Sequence, residues 1–175
     1  MARIPYADTQ SAAVKPLADR IVAERGSVLH LYQMLLNSPA VAEGWLNYLT
    51  AIRQKSSLNG AIREMVIMRV ALLNRAPYEA EQHAPIALRE GMSQAQLDAL
   101  SDWEQSPLFD ERERAVLAYT DAMTRNVQVP EGVFAAVSAH FEPQQLVELT
   151  ATVAAYNMVS RFLEALQIHS HDHTA

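Results

Sequence analysis

Apolar residues recur along this chain at three- and four-residue steps, the periodicity of helices laid on a common core. Between Ile62 and Leu73 the pattern becomes denser, and Ile62, Met65, Val66, Ile67, Met68 and Val70 cover nearly every direction of a helical wheel. A helix without a polar face is a buried helix. Arg63, Glu64 and Arg69 are nevertheless set into that run, and buried charge is costly unless it is paired. A break from Asn74 to Pro77, with Asn74 as a candidate cap, opens a second helix that carries Tyr78, Glu79 and His83. Gly91 is placed to end it in the left-handed conformation. The rest of the chain is organised around this pair, Leu58 to Gly91.

The remaining elements follow from caps and breakers. Residues 1–14 read as an arm that packs only if something covers it. Helices are predicted over Lys15–Glu24, over Val28–Leu36 with Ser27 as cap, and over Pro39–Lys55 with Ser38 as cap. On the third, Val41, Trp45, Tyr48, Leu49 and Ile52 share a face, and Trp45 and Tyr48 read as core or interface. Ser93-x-x-Gln96 and Asp110-x-x-Glu113 are capping boxes. A short helix spans Glu131–His140, and a long one runs from Pro143 to about Ile168. No stretch alternates with period two between hairpin turns, so the fold class is all-α. Short connections favour antiparallel neighbours in a single-domain helical bundle over residues 15–168, followed by a histidine-containing tail, 169–175.

Composition narrows the function. Half of the 175 residues are hydrophobic and only 19% are charged, against an ordinary charged share of roughly 25%, which leaves room for a subunit interface beside the core. The net charge of −6 has no basic block, so nucleic acid is not an expected partner. There are no cysteines, which excludes disulfides, thiolate metal sites and thiol redox chemistry. No apolar run approaches the roughly 18 residues that span a bilayer, and MARIPYADTQ has no signal-peptide core. The expectation is a soluble, cytoplasmic protein.

Titratable groups on two consecutive buried helices are where chemistry is expected. Glu79 and His83 lie four residues apart on one helix face and can hydrogen-bond. Pro85, inside the same helix, removes one backbone hydrogen bond and should bend it. Asn157 and Arg161 on the last helix either face the pocket of His83 or cap neighbouring helices, and Glu148 poses the same question. His30 and His140 read as packing residues. His169, His171 and His173 alternate in the tail but read as solvated rather than as a metal site, so no metal or cofactor is expected. QQLVELTATVAAYN resembles AIREMVIMRVALLN weakly, as a degenerate internal repeat would.

Glu64, Ala76, Tyr78, Glu79 and His83, followed by Ala87 and Gly91, stand at the spacing of a known motif. In this respect the chain resembles the carboxymuconolactone decarboxylase and alkyl hydroperoxidase D superfamily, most fully over residues 58–100. The resemblance implies the all-helical fold of that group, assembled as a homo-oligomer, a trimer or a hexamer built from trimers. In the peroxidase branch the positions of Ala76 and Glu79 are cysteines served by a Glu–Tyr–His relay. Neither alanine nor glutamate attacks a peroxide, so thiol peroxidase activity is not expected here.

The decarboxylase branch needs no thiol. By that resemblance Glu64 and His83 act as base and acid, Tyr78 orients or donates, and Glu79 tunes His83. Arg63 or Arg69 is placed to hold a substrate carboxylate, unless each pairs with Glu64 or lies at a subunit surface. The expected function is cofactor-free acid/base catalysis: proton transfer with decarboxylation or isomerisation of a small carboxylated lactone or enolisable acid. The alternative is a catalytically silent oligomeric binding or scaffold protein. A metal- or haem-dependent redox role at His83 is the weakest option, because no second ligand stands at helical spacing.

Overall fold

The computed structural model describes residues 1–172 as all-helical, with nine α-helices among them: α1 Lys15–Arg25, α2 His30–Leu35, α3 Pro39–Thr50, α4 Gly60–Asn74, α5 Pro77–Arg89, α6 Gln94–Ala99, α7 Glu111–Asn126, α8 Glu131–Ser138 and α9 Pro143–Leu166. A π-helical turn, Ala51–Lys55, prolongs α3. The chain divides into two compact units: Met1–Gln54 together with the segment from Leu163 onward, and Lys55–Phe162.

In the first unit, Pro16 stands in the opening turn of α1 and Gly26 closes it at φ 85°, a left-handed conformation that costs glycine nothing. Ile21, Met34, Leu35, Leu36 and Leu46 are fully enclosed. The predicted face of α3 needs correction. Val41 and Tyr48 are exposed, and the buried side is Ala42, Trp45, Leu46, Leu49 and Ile52, a rotation of about one residue. Nor does Ser27 cap α2: its N-cap is Leu29, without a side-chain bond, and Ser38 precedes α3 without one. The N-terminal arm is covered. The Arg3 amide donates to the Leu166 carbonyl (2.9 Å), the Arg3 guanidinium to Ala165 (3.0 Å), and the Ala7 amide to Gln33 (3.2 Å).

In the second unit, α4 packs chiefly against α5 and α7. Every residue from Ile62 to Ala71 is buried, as a helix apolar all round requires. Asn59 caps it, its side chain accepting from the Ile62 amide at 3.2 Å. Asn74 does not cap α5, as the sequence suggested; it is the last residue of α4, and the N-cap of α5 is Ala76. The helix α5 includes Pro85 and ends at Gly91 (φ 111°), where Met92 N–H bonds Ala87 and Gly91 N–H bonds Leu88. Arg75 makes the same double closure for α4 at φ 55°, although it is not glycine. That tight end turns the chain into α5 within three residues and sets Glu64 and His83 on facing helices. Both predicted capping boxes form, at Ser93 and at Asp110.

Candidate active site

The enclosed charged or titratable side chains of α4 and α5 include Arg63 (9% exposed), Glu64 (0%), Glu79 (2%) and His83 (8%). A carboxylate so far from water must be bonded at both oxygens or lose its charge. Glu64 is bonded at both. Its Oε2 lies 2.7 Å from His83 Nδ1, and its Oε1 accepts from Arg63 Nε at 3.1 Å. Burial pushes the Glu64 carboxyl up, but the hydrogen bond from His83 and the charges of His83 and Arg63 outweigh it and hold the group below its ordinary value. An ionised carboxylate has no proton to give, so Nδ1 carries the hydrogen and the ring's proton exchange falls to Nε2. Arg63 reaches on to Glu90 Oε1 at 3.2 Å, anchoring the arrangement to the end of α5.

Helix α9 supplies the other wall. The ring of Tyr156 meets His83 edge to face, with centroids 5.1 Å apart and planes at 89°. Ser160 Oγ lies 2.6 Å from Glu79 Oε2. The sequence places Glu79 one turn before His83 on the same helix; the packing of α4 on α5 also brings Glu64 to His83 Nδ1, and Ser160 of α9 meets Glu79. Tyr78 is buried in the first turn of α5.

The other residues named from the sequence are engaged elsewhere. Arg69 forms a two-pronged pair with Asp121 of α7, both contacts at 2.6 Å, and donates to the Leu100 carbonyl at 2.8 Å. Trp103 Nε1 also reaches Asp121 (3.5 Å), so Arg69 is committed to the α4–α7 packing. Asn157 donates to Thr124 (2.9 Å) and accepts from Asn74 (3.1 Å) and Arg161 (2.6 Å), a polar chain joining α4, α7 and α9. Glu148 receives the Ser57 amide and hydroxyl at 2.9 and 2.8 Å, ahead of α4. Asp121, Tyr156 and Ser160 were not singled out beforehand. Asp121 had a signal, since a buried Arg69 demands a carboxylate, but nothing in the sequence says from where. His30 Nδ1 lies 2.9 Å from the His169 carbonyl; His173 is outside the described residues. No group of three or more metal-ligating side chains stands together among the described residues, and no helix there is long and apolar enough to cross a membrane.

The model of the Carboxymuconolactone decarboxylase family matches residues 39–122, which contain α4, α5 and the Glu64–His83 pair. Over that stretch the chain is similar to the Carboxymuconolactone decarboxylase family. It is 34% identical, over 127 residues, to YnjA, an uncharacterized protein of Escherichia coli. That alignment covers 71% of the chain and 66% of YnjA, just under two thirds of the relative's length. A solved alkylhydroperoxidase AhpD core, a peroxidase-related protein from Ralstonia eutropha JMP134, superposes with a TM-score of 0.82 at 18% identity, covering 98% of this chain and 93% of that one. The debrominase Bmp8, solved as a cysteine-to-alanine variant with 2,3,4-tribromopyrrole, superposes with a TM-score of 0.81 at 16% identity, covering 97% and 93%. At such identities the likeness is one of fold. The sequence has Ala76 and Glu79 at the start of α5 and no cysteine anywhere.

Proposed function

We propose that this protein is a cofactor-free general acid/base enzyme of the carboxymuconolactone decarboxylase type. It moves a proton on a small carboxylated lactone or enolisable acid, with decarboxylation or isomerisation. One observation carries the reading: the 2.7 Å contact between Glu64 Oε2 and His83 Nδ1 inside a dry helix pair. A carboxylate behind an imidazole fixes its tautomer and steadies the cation formed when Nε2 takes a proton, the arrangement general-base histidines use. When carbon dioxide leaves, its bonding pair flows into the conjugated carbonyl, and the imidazolium returns the proton to carbon. Tyr156 borders the ring, and Tyr78 is buried one turn earlier on α5. The absence of cysteine argues against a peroxidatic thiol cycle. Of the two arginines, Arg63 is the better candidate for a substrate carboxylate, because Arg69 is held by Asp121. Exposed Val41, Tyr48, Phe134 and Val147 favour a homo-oligomer, and we place it in the cytoplasm.

Proton exchange in heavy water tests this. Small lactones and enolisable carboxylic acids are incubated with wild type and with folded His83→Gln, and exchange or carbon dioxide release is followed by NMR. Wild type exchanges at least one compound and the variant loses at least a hundredfold of that rate. Equal exchange by both proteins removes His83 from the mechanism.

A second reading, a silent scaffold, takes support from the Arg63–Glu64 bond, which satisfies the carboxylate without any substrate. Under it, no compound exchanges and Glu64→Gln alters stability alone.

A further inference from the structure

We infer that the groove between α7, α8 and α9 is a second binding site, apart from the Glu64–His83 pair, for a small amphipathic carboxylate. Its apolar body fills the groove and its carboxylate pairs with Arg112.

The groove encloses about 800 Å³, within the roughly 300–1,000 Å³ that small-molecule sites occupy. Its apolar walls include Phe134 on α8, Phe141 in the turn after it, and Leu146 and Val147 on α9. Tyr119, Ser138 and Thr150 also line it, and each has committed its hydroxyl hydrogen to the protein. Ser138 Oγ donates to the Ala135 carbonyl at 3.0 Å, and Thr150 Oγ1 to the Leu146 carbonyl at 2.7 Å. A hydroxyl has one hydrogen, so the 2.8 Å contact between Tyr119 Oη and Thr150 Oγ1 is donated by the tyrosine. These walls keep no hydroxyl donor for a ligand. The body that fits is apolar.

The charge comes from Arg112. Its guanidinium carbon stands 4.5 Å from the centroid of the Phe141 ring, and the same ring lines the groove. Stacking uses the flat face of the guanidinium and leaves the in-plane N–H edge for an anion, a fork that matches a carboxylate. Arg63 and Arg69 already hold carboxylates. Among the described residues no carboxylate pairs with Arg112, and its buried Nε has no hydrogen-bond partner. Its acidic neighbours in the chain are engaged otherwise: Asp110 and Glu113 bond one another's amides, and Glu113 also accepts from Gln96. Arg112 and Tyr119 are two turns apart on α7, hence on one face and roughly 10 Å apart along the axis. Head and body of one ligand span that distance. The rim includes exposed Phe134 and Val147, which a second copy could also cover. An apolar partner face laid there would bury the guanidinium without an anion, which is costly. Arg112 thus favours the carboxylate.

Calorimetric titration of the full chain with octanoate, and with octanol as the uncharged chain of equal length, tests this. Wild type binds octanoate more tightly than octanol. Arg112→Gln weakens octanoate about tenfold, through loss of charge-assisted bonds, and leaves octanol unchanged. Ala154→Trp, at an exposed position of the lining, loses both. Wild type that takes up no octanoate, equal affinity in Arg112→Gln, or binding that survives Ala154→Trp overturns the inference. So does light scattering in which Val147→Asp breaks up an assembly that wild type forms, since a second copy then covers the groove. Should Ala154→Trp not fold, the octanoate-to-octanol ratio in Arg112→Gln decides alone. No turnover is read, so these outcomes stand apart from failure of the exchange assay.

Discussion

Glu64 and His83 are nineteen residues apart in the chain and 2.7 Å apart in space, joined at Glu64 Oε2 and His83 Nδ1. Their bond makes stability depend on pH with a definite sign. The folded-state pKa of Glu64 is depressed, so its contribution is fully present above the unfolded value of about 4.3 and is lost as pH falls through the lower folded value. Glu64→Gln removes the charge and keeps the shape. It should lower stability at neutral pH by about 1–3 kcal/mol, and its deficit against wild type should shrink below about pH 4. Urea midpoints measured from pH 7 down to about 3 check this; a deficit that grows on acidification contradicts it.

Arg69 and Asp121 form another buried ion pair of the second unit, and they predict a different phenotype. Removing one partner leaves an uncompensated buried charge. Asp121→Ala should therefore cost about 3–5 kcal/mol, seen in urea unfolding. Replacing both partners by apolar residues of similar size should cost much less, since neither charge is then stranded. A double variant that folds should keep whatever proton exchange wild type shows. If it folds well and loses exchange, Arg69 belongs to the site after all.

These two pairs show what the sequence holds and what it withholds. That α4 is buried could be read from Ile62 to Leu73, because an all-round apolar helix has one physical solution. That Glu64, Arg63 and Arg69 must be paired followed from the cost of burying charge. Which partner each would find did not. The periodicity of α5 puts Glu79 and His83 on one face, yet the nearer partner in space for Nδ1 is Glu64, and only the packing of α4 on α5 decides that. Ser160 was invisible for a similar reason: one serine in an apolar helix carries no signal until a carboxylate from another helix meets it. Caps formed where the motif had two halves, at Ser93 and Asp110. They failed where a lone Ser27, Ser38 or Asn74 was offered.

Val127 follows α7 at φ 66° and ψ −47°, a region that a β-branched residue adopts only under strain. Its side chain is 81% exposed, so it gains nothing from packing. Such strain costs about 1–3 kcal/mol, and glycine there returns about 0.5–1 kcal/mol of it as chain entropy. Val127→Gly should raise the midpoint of thermal unfolding by about 2–4 °C, measured by calorimetry. A lower midpoint means the turn is not strained at this residue.

Asp172 ties down both ends of the first unit. It accepts from Tyr6 Oη at 2.6 Å and from the His169 amide at 3.1 Å, and pairs with the N-terminal amine at 3.4 Å. Burial pushes its carboxyl up, but the Tyr6 and His169 hydrogen bonds and the amine prevail and hold it at about 2. The lock is thus fully formed above the unfolded value of about 3.9 and opens as pH falls toward 2. Asp172→Asn should loosen it at neutral pH. The Arg3 and Ala7 amides, bonded to Leu166 and Gln33, should then exchange with heavy water about tenfold faster. Amides at the centre of α4 should keep their wild-type rates, since a frayed terminus opens locally. Acceleration in α4 as well would mean that the terminal lock stabilises the whole chain.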